Sequence, residues 1–173
     1  MKRSLKELIG YHVKTSDGKE GKARDFLFDE KYWTVQYVEA DFGNLFNFER
    51  KLIPRVFLKT PQWQEKIFPI KLQDEEIDRC PDFDDHLPVS RKYEEKLFTH
   101  YGVDPYWISA YTGPTGMYSP PRPIRVPSSA VKEKDVDTLL RSFTEVKNYN
   151  INAIDGKFGH IEHLIIDDQK WQT

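Results

Sequence analysis

The sequence has few of the features on which several protein classes depend. It contains one cysteine, Cys80, which excludes an internal disulfide and any CxxC zinc or redox motif. No apolar run approaches the roughly 18–20 residues that a membrane-spanning helix needs. Residues 1–30 contain no signal-peptide core. We therefore expect a cytoplasmic protein without a membrane span.

Neither sign of charge dominates the 173 residues. Twenty-six Lys and Arg oppose 28 Asp and Glu, for a formal net charge of −2, so composition gives no signal for nucleic acid or anionic lipid. Hydrophobic residues are scarce, at 38% against about 45–50% in typical domains. Aromatic residues, at 14%, offset this shortage because each buried ring removes a large apolar area from water. The length suits one domain with an appendage, or two small domains.

Motifs for catalysis and metal binding are absent or fail on geometry. No GxSxG, GxGxxG or HExxH motif occurs. In His160-x-Glu162-His163, strand alternation puts the two histidines on opposite faces, which disfavours a shared metal ion. The GxxG segments at residues 18–21 and 156–159 are too short for a phosphate-binding loop and are typical of turns. We therefore predict no catalytic residue, no metal site and no cofactor.

The chain contains an internal repeat. A shift of 138 residues aligns residues 3–33 with residues 141–171 without a gap. Ten of the 31 pairs are identical, where chance gives roughly two. We infer that a unit has been duplicated. The identical pairs are Arg3/Arg141, Ser4/Ser142, Glu7/Glu145, Tyr11/Tyr149, Asp17/Asp155, Gly18/Gly156, Lys19/Lys157, Gly21/Gly159, Asp29/Asp167 and Trp33/Trp171.

The repeated unit has the pattern of a β-hairpin. Apolar and polar residues alternate over residues 11–16, and Asp17-Gly18 then favours a tight reversal. The next strand, residues 22–29, changes its apolar face near residues 24–25, which predicts a β-bulge. Its copy at residues 161–166 shows the same change of face.

Only the first copy continues as a series of strands. The pattern predicts a third strand from Trp33, a fourth that begins at Phe46 and Phe48, and an edge or bulge at Pro54. A last strand follows over residues 68–72. Residues 1–72 therefore predict a small barrel.

The second copy is shorter and is joined to the first by two segments. Residues 130–173 read as a partial repeat of two strands, preceded by a short helix over residues 135–142. Residues 73–111 predict a helical connection, in which Ser90 caps a helix that Gly102 ends. Residues 112–129 hold five of the eleven prolines and predict a stiff, irregular linker.

Three stretches of the chain resemble the PRC-barrel family. The first barrel of that family resembles LIGYHVKTSDGKEGKARDFLFDEKYWTVQYVEAD followed by RKLIPRVFL. The segment after the barrel in stand-alone bacterial members resembles KLQDEEIDRCPDFDDHLPVSRKYEEKLFTHYGVDPYW. The beginning of the second barrel in two-barrel members resembles LLRSFTEVKNYNINAIDGKFGHIEHLIIDDQKW. The resemblance implies a mainly β protein, with a small PRC-type β-barrel, short helices and a partial second barrel repeat.

The resemblance also carries an expectation about function. Related barrels, in the cytoplasmic domain of the photosynthetic reaction-centre H subunit and in a ribosome-maturation factor, serve protein contacts and hold no active site. It therefore implies a non-enzymatic protein–protein interaction module, with partner proteins that the sequence does not identify. One alternative is an H-subunit-like regulator of a photosynthetic or electron-transfer complex. Another is an RNA or ribosome-maturation accessory, against which the near-neutral charge speaks.

The incomplete second copy predicts self-association into a homo-oligomer. A two-stranded hairpin is marginally stable alone, and its unpaired edges accept further strands. Residues 150–154 and 161–166 are therefore expected to pair with another copy of the chain or with the first barrel. The candidate self-association edge consists of Ile151, Ile161, Leu164, Ile166 and Trp171.

Overall fold

The two copies of the repeat lie in the same compact unit. A computed structural model describes residues 1–44, 46–83, 89–109, 140–154 and 156–172. Its larger unit joins Met1–Pro88 to Leu139–Thr173, and its smaller unit is Val89–Thr138. The partial repeat therefore does not form a unit of its own. The predicted linker at residues 112–129 lies outside the described residues.

Short strands and short helices alternate along the larger unit. Before the smaller unit, the chain forms β1 (Lys2–Ser4), α1 (Leu5–Leu8), β2 (His12–Lys14), β3 (Glu20–Asp29), β4 (Thr34–Asp41), β5 (Arg50–Pro54), a 3-10 turn (Arg55–Phe57), β6 (Ile67–Pro69) and α2 (Asp74–Asp78). The smaller unit contains α3 (Arg91–Tyr101) and α4 (Tyr106–Ser109). After it come β7 (Leu140–Ser142), α5 (Phe143–Val146), β8 (Asn150–Ala153), β9 (Gly156–His160) and β10 (Ile165–Asp167).

The main sheet takes five of its strands from the first copy and its continuation, and a sixth, β7, from the second copy. The five strands lie in the order β5-β4-β3-β2-β6, in which β2 and β6 are parallel and the other neighbours are antiparallel. Just beyond the end strands, the Lys59 N–H donates to the Pro69 carbonyl at 2.8 Å and the Lys71 N–H to the Phe57 carbonyl at 2.9 Å. The two ends of the sheet therefore approach each other. A mainly β fold with short helices is confirmed.

The hairpin and the bulge predicted for the first copy are confirmed. β2 and β3 pair antiparallel across a turn in which Gly18 adopts φ +110°, a conformation that glycine tolerates. Between β3 and β4 the register shifts at Ala23/Asp25. After this bulge, Phe26, Leu27 and Phe28 are buried in succession.

The predicted fourth strand does not begin at Phe46 and Phe48. Residues 42–44 and 46–49 lie outside any strand, and the strand starts only at Arg50. The reason lies in Asn44, whose side-chain oxygen accepts hydrogen bonds from the Phe46 and Asn47 N–H groups at 2.9 and 3.1 Å. Such local bonds give the backbone an alternative to a sheet ladder, and both phenylalanine rings are exposed.

The helix predicted over residues 135–142 is also wrong in its described part. Leu140–Ser142 is strand β7, and the helix α5 starts one residue later at Phe143. Ser142 causes this boundary because its hydroxyl accepts a hydrogen bond from the Glu145 N–H at 3.2 Å, as an N-cap does. Residues 135–139 lie outside the described part of the chain.

The core of the larger unit combines both copies. The first copy and its continuation bury large side chains such as Phe26, Phe28, Tyr37 and Phe68. The second copy adds fully buried residues, among them Phe143 and Ile166. One hydrophobic core therefore depends on segments that are more than one hundred residues apart in sequence.

The smaller unit confirms the predicted capped helix. In α3, the Ser90 hydroxyl accepts a hydrogen bond from the Tyr93 N–H at 3.2 Å, and Gly102 ends the helix with φ +62°. The Arg91 guanidinium lies 3.3 Å from the buried Glu94 carboxylate and 3.7 Å from the centre of the Trp107 ring. Every helix among the described residues is too short and too polar to cross a bilayer.

Candidate interaction surface

The two copies of the repeat exchange their first strands. β1 of the first copy pairs antiparallel with β10 of the second, and β7 of the second copy pairs antiparallel with β3 of the first. The registers are equivalent under the shift of 138 residues, since Lys2 lies opposite Asp167 and Leu140 lies opposite Asp29. Reciprocal contacts of this kind are expected when two units are related by an approximate two-fold axis. Each copy therefore supplies a strand to the other.

Two equivalent ion pairs accompany the exchange. Arg3 Nε lies 3.1 Å from Asp168, and Arg141 Nε lies 2.7 Å from Glu30. A hydrogen bond from the Met1 ammonium, followed by one from Arg3, lowers the pKa of Asp168 despite partial burial. The hydrogen bond to Glu30 raises the pKa of Arg141. Both pairs join the first copy to the second.

Two equivalent serines make the same kind of contact across the exchange. The Ser4 hydroxyl lies 2.8 Å from His163 Nδ1, and the Ser142 hydroxyl donates a hydrogen bond to the Asp25 carboxylate. His163 and Asp25 occupy equivalent positions, so each serine contacts the same position of the other copy although the residue there differs. These contacts fix how the two copies lie against each other.

The histidines near the end of β9 have different partners. His160 Nε2 lies 4.0 Å from a Glu162 carboxylate oxygen, and both side chains are exposed. His163 contacts Ser4 instead. Within the described ranges, no group of three or more His, Cys, Asp or Glu side chains is arranged to hold a metal ion.

Both copies contain the same turn before their tryptophan. The carboxylates of Asp29 and Asp167 each accept two backbone N–H hydrogen bonds from residues two and three positions ahead, at 2.9–3.1 Å. These backbone donors lower the pKa of Asp167. Trp33 and Trp171 follow with φ of +50° and +57°, in the left-handed region.

The two tryptophans nevertheless have different environments. Trp171 is buried, and its ring centre lies 6.3 Å from that of Phe26 and 5.9 Å from that of Phe68. Trp33 stacks on Phe28 at 5.3 Å and remains 41% exposed. In the first copy, β4, β5 and β6 belong to the unit whose core Trp171 enters. The described part of the second copy has no counterparts of these strands, so no equivalent core surrounds Trp33.

Core positions of the first copy are exposed in the second. Tyr11 and Val13 are 8% and 0% exposed, whereas the equivalent Tyr149 and Ile151 are 44% and 43% exposed. The strands that cover the first hairpin account for this difference, because the second hairpin forms a sheet of β8 and β9 alone among the described residues.

Other residues of the second copy complete this apolar surface. Ile161 and Leu164 are partly exposed, although the equivalent Ala23 and Phe26 are fully buried. We use the term open face for the set Trp33, Tyr149, Ile151, Ile161 and Leu164.

The residues predicted as a self-association edge divide into two groups. Ile151, Ile161 and Leu164 lie on the open face, but Ile166 and Trp171 are buried in the core of the larger unit. The strand that contains Ile166 pairs with β1, so the first copy provides the neighbour expected for this part of the edge. The expected contact with another copy of the chain stays a prediction.

A second exposed apolar group lies on the loop between β4 and β5. Phe46 and Phe48 are 96% and 66% exposed. The base of this loop is held by the buried Asp41 carboxylate, which accepts hydrogen bonds from the Gly43 and Glu49 N–H groups at 3.0 and 3.1 Å.

The charge of Asp41 is stabilised by its surroundings. Burial by itself raises the pKa of Asp41, but the N–H groups of Gly43 and Glu49 and the guanidinium of Arg24, 3.0 Å away, outweigh it. The pKa of Asp41 is therefore lowered in the folded chain. Because the folded-state pKa is below the unfolded one, this stabilisation is present above the unfolded pKa, about 3.9, and is lost as pH falls through the folded pKa.

We expect Asp41→Asn to lower the free energy of unfolding by about 1–2 kcal/mol at neutral pH, since it weakens charge-assisted hydrogen bonds. The difference from the unmodified chain should shrink as pH falls below about 4, where the native carboxylate also becomes protonated. Urea unfolding at a series of pH values measures this. Glu7→Gln, at an exposed helix position, is the control and should follow the unmodified chain at every pH.

Sequence patterns missed the exchange of strands between the copies. The hairpin pattern of the repeat starts at Tyr11, and residues 2–4 and 140–142 were not predicted as strands. The signal was present in the identical pairs Arg3/Arg141 and Ser4/Ser142, which lie outside the hairpin. Identity at such polar positions indicates a shared contact rather than a shared core.

The chain was also compared with known proteins. No protein-family model matches it, and no curated protein matches its sequence significantly. What the open face binds is therefore inferred from its geometry.

Proposed function

We propose that this chain is a non-enzymatic protein–protein interaction module of the PRC-barrel type, and that it self-associates. The strand order β5-β4-β3-β2-β6 and the approach of the two sheet ends at residues 57–59 and 69–71 support a small barrel. The resemblance of the first copy's sequence to the barrel of that family is a second support for the proposal.

One observation carries the proposal. The same repeat positions are buried by strands in the first copy and exposed in the second, as Val13 at 0% and Ile151 at 43% show. Large apolar side chains that are exposed together commonly mark a site of protein association. The open face is therefore the surface on which we place protein binding.

The chemistry of the open face favours a protein partner over a nucleic acid. Its five members are aromatic or aliphatic, and the chain carries a formal net charge of −2. Recognition of a phosphate backbone depends on clusters of Lys and Arg. Burial of apolar side chains needs no such charge and contributes about 1.5–3 kcal/mol for each large residue that becomes fully buried.

Sedimentation velocity over a range of concentrations tests this proposal. We expect the chain to dimerise, and the dimer to persist when salt is raised from about 0.1 M to about 1 M, because screening weakens exposed charge pairs but not apolar contacts. A monomer at every concentration would contradict self-association. RNA binding that weakens steeply with salt would instead favour the ribosome-maturation alternative.

A further inference from the structure

The outer edge of β8 lacks the features that keep edge strands apart. Residues 150–154, Asn-Ile-Asn-Ala-Ile, contain no charged residue and no proline, which are the usual protections of an exposed edge. In the described residues β8 pairs with β9 and with no other strand. Ile154, directly after the strand, is fully exposed. An unprotected apolar edge of this kind accepts another strand.

The equivalent strand of the first copy shows what such an edge needs. β2 carries the ionisable residues His12 and Lys14, and its outer edge is covered by β6, which hydrogen-bonds along it. β8 has asparagine at both equivalent positions, and no strand among the described residues pairs with its outer edge. The edge that remains is less protected than β2 in both respects.

We propose that the outer edge of β8 pairs with β8 of a second copy of this chain, antiparallel across a two-fold axis, and so brings together the part of the open face that lies next to this edge. The result is a continuous sheet in the order β9-β8-β8-β9, with one hairpin from each copy. This inference rests on the proposed self-association and assigns the strand that performs it.

Several features favour a second copy as the occupant. An antiparallel pair requires a partner strand of similar length, and a two-fold axis supplies one that is identical. Two neutral edges meet without charge repulsion. The repeat also already makes reciprocal antiparallel contacts of this kind, between β1 and β10 and between β3 and β7. β9 is less suited to pair with a second copy. It contains Gly156 and Gly159, and glycine weakens a strand. It also contains Lys157, and a charged residue protects an edge strand from pairing.

The two-fold axis determines which residues meet. In an antiparallel pair, residues directly opposite each other lie on the same face of the sheet. A two-fold axis perpendicular to the sheet must then pass midway between two equivalent residues, one from each copy. In the register that places Ile151 of one copy opposite Ile151 of the other, two 43% exposed side chains come together. Tyr149 lies two residues away and joins the same contact.

The charge substitution Ile151→Lys tests this arrangement in the full chain. It places two like charges at the axis, so we expect the dissociation constant measured by sedimentation velocity to rise at least about tenfold. The matched control is Val56→Lys, which makes the same change at a 57% exposed β-branched residue outside the open face. Val56→Lys should dimerise like the unmodified chain, and circular dichroism should show both variants folded.

Crosslinking gives an independent readout of the register. Under mild oxidation, Ile151→Cys should form a disulfide-linked dimer, because the two introduced thiols face each other at the axis. Val56→Cys, outside the contact, should not. The native Cys80 is buried and is not expected to crosslink in either variant. Dimerisation that Ile151→Lys leaves unchanged overturns the β8 contact but leaves self-association standing. A chain that is monomeric without substitution overturns both, and is the outcome expected if another protein, or another part of this chain, covers the open face.

Discussion

Replacing Ile166 with aspartate is expected to unfold the larger unit. Ile166 is fully buried, on a strand of the second copy that pairs with β1 of the first. The substitution loses the burial of an isoleucine side chain and puts a carboxylate where water does not reach. We expect a loss of about 4–6 kcal/mol, which is comparable to the total stability of many domains, about 5–15 kcal/mol.

The adjacent residue gives a matched control for this prediction. Ile165 is 47% exposed, so Ile165→Asp introduces the same charge on the opposite face of the same strand. We expect it to change the urea midpoint only slightly, while Ile166→Asp abolishes the cooperative transition. Equal effects of the two substitutions would contradict the placement of β10 in the shared core.

Replacing Trp171 with alanine is expected to lower the free energy of unfolding by about 3–5 kcal/mol, the range for a large ring removed from a core. Trp171 contacts Phe26 and Phe68, and its carbonyl accepts a hydrogen bond from the Val35 N–H at 2.8 Å. The side chain therefore fills the core of the first copy from a position in the second. Urea unfolding followed by far-ultraviolet circular dichroism measures the loss.

The equivalent substitution in the first copy is the control for Trp171. Trp33 has the same backbone conformation but is 41% exposed, so Trp33→Ala should cost about 1–2 kcal/mol. This comparison holds residue type and local turn constant and varies only the surroundings. If Trp33→Ala proved as costly as Trp171→Ala, the asymmetry between the two copies would be wrong.

Local signals predicted the elements that depend on a few neighbouring residues. The turn at Gly18, the bulge before Asp25 and the ends of α3 at Ser90 and Gly102 are all confirmed. The turn and the two helix ends are fixed by backbone preferences or by a hydrogen bond to a residue at most three positions away. The bulge was indicated by the change of apolar face near residues 24–25. A local hydrogen bond also explains why the predicted start of the fourth strand is wrong. The Asn44 side chain accepts a hydrogen bond from the Phe46 N–H and turns the chain where the apolar residues favoured a strand.

The open face was predicted only in part because it depends on distant contacts. Periodicity identified Ile151, Ile161 and Leu164 as apolar residues of an incomplete hairpin. It grouped Ile166 and Trp171 with them, although both side chains are buried in the core of the larger unit. A pattern of side chains shows which residues seek burial, but not which distant strand covers them.

The amino-acid sequence by itself determined that a β-hairpin unit is present twice and that a series of further strands follows its first copy. Only the tertiary structure decided that the two copies exchange strands, so that Trp171 enters a core while Trp33 stays at the surface. The physical reason is that hairpins and caps depend on short-range backbone geometry. Strand exchange depends instead on pairing between segments more than 100 residues apart, whose ion pairs and buried contacts exist only once the chain has folded.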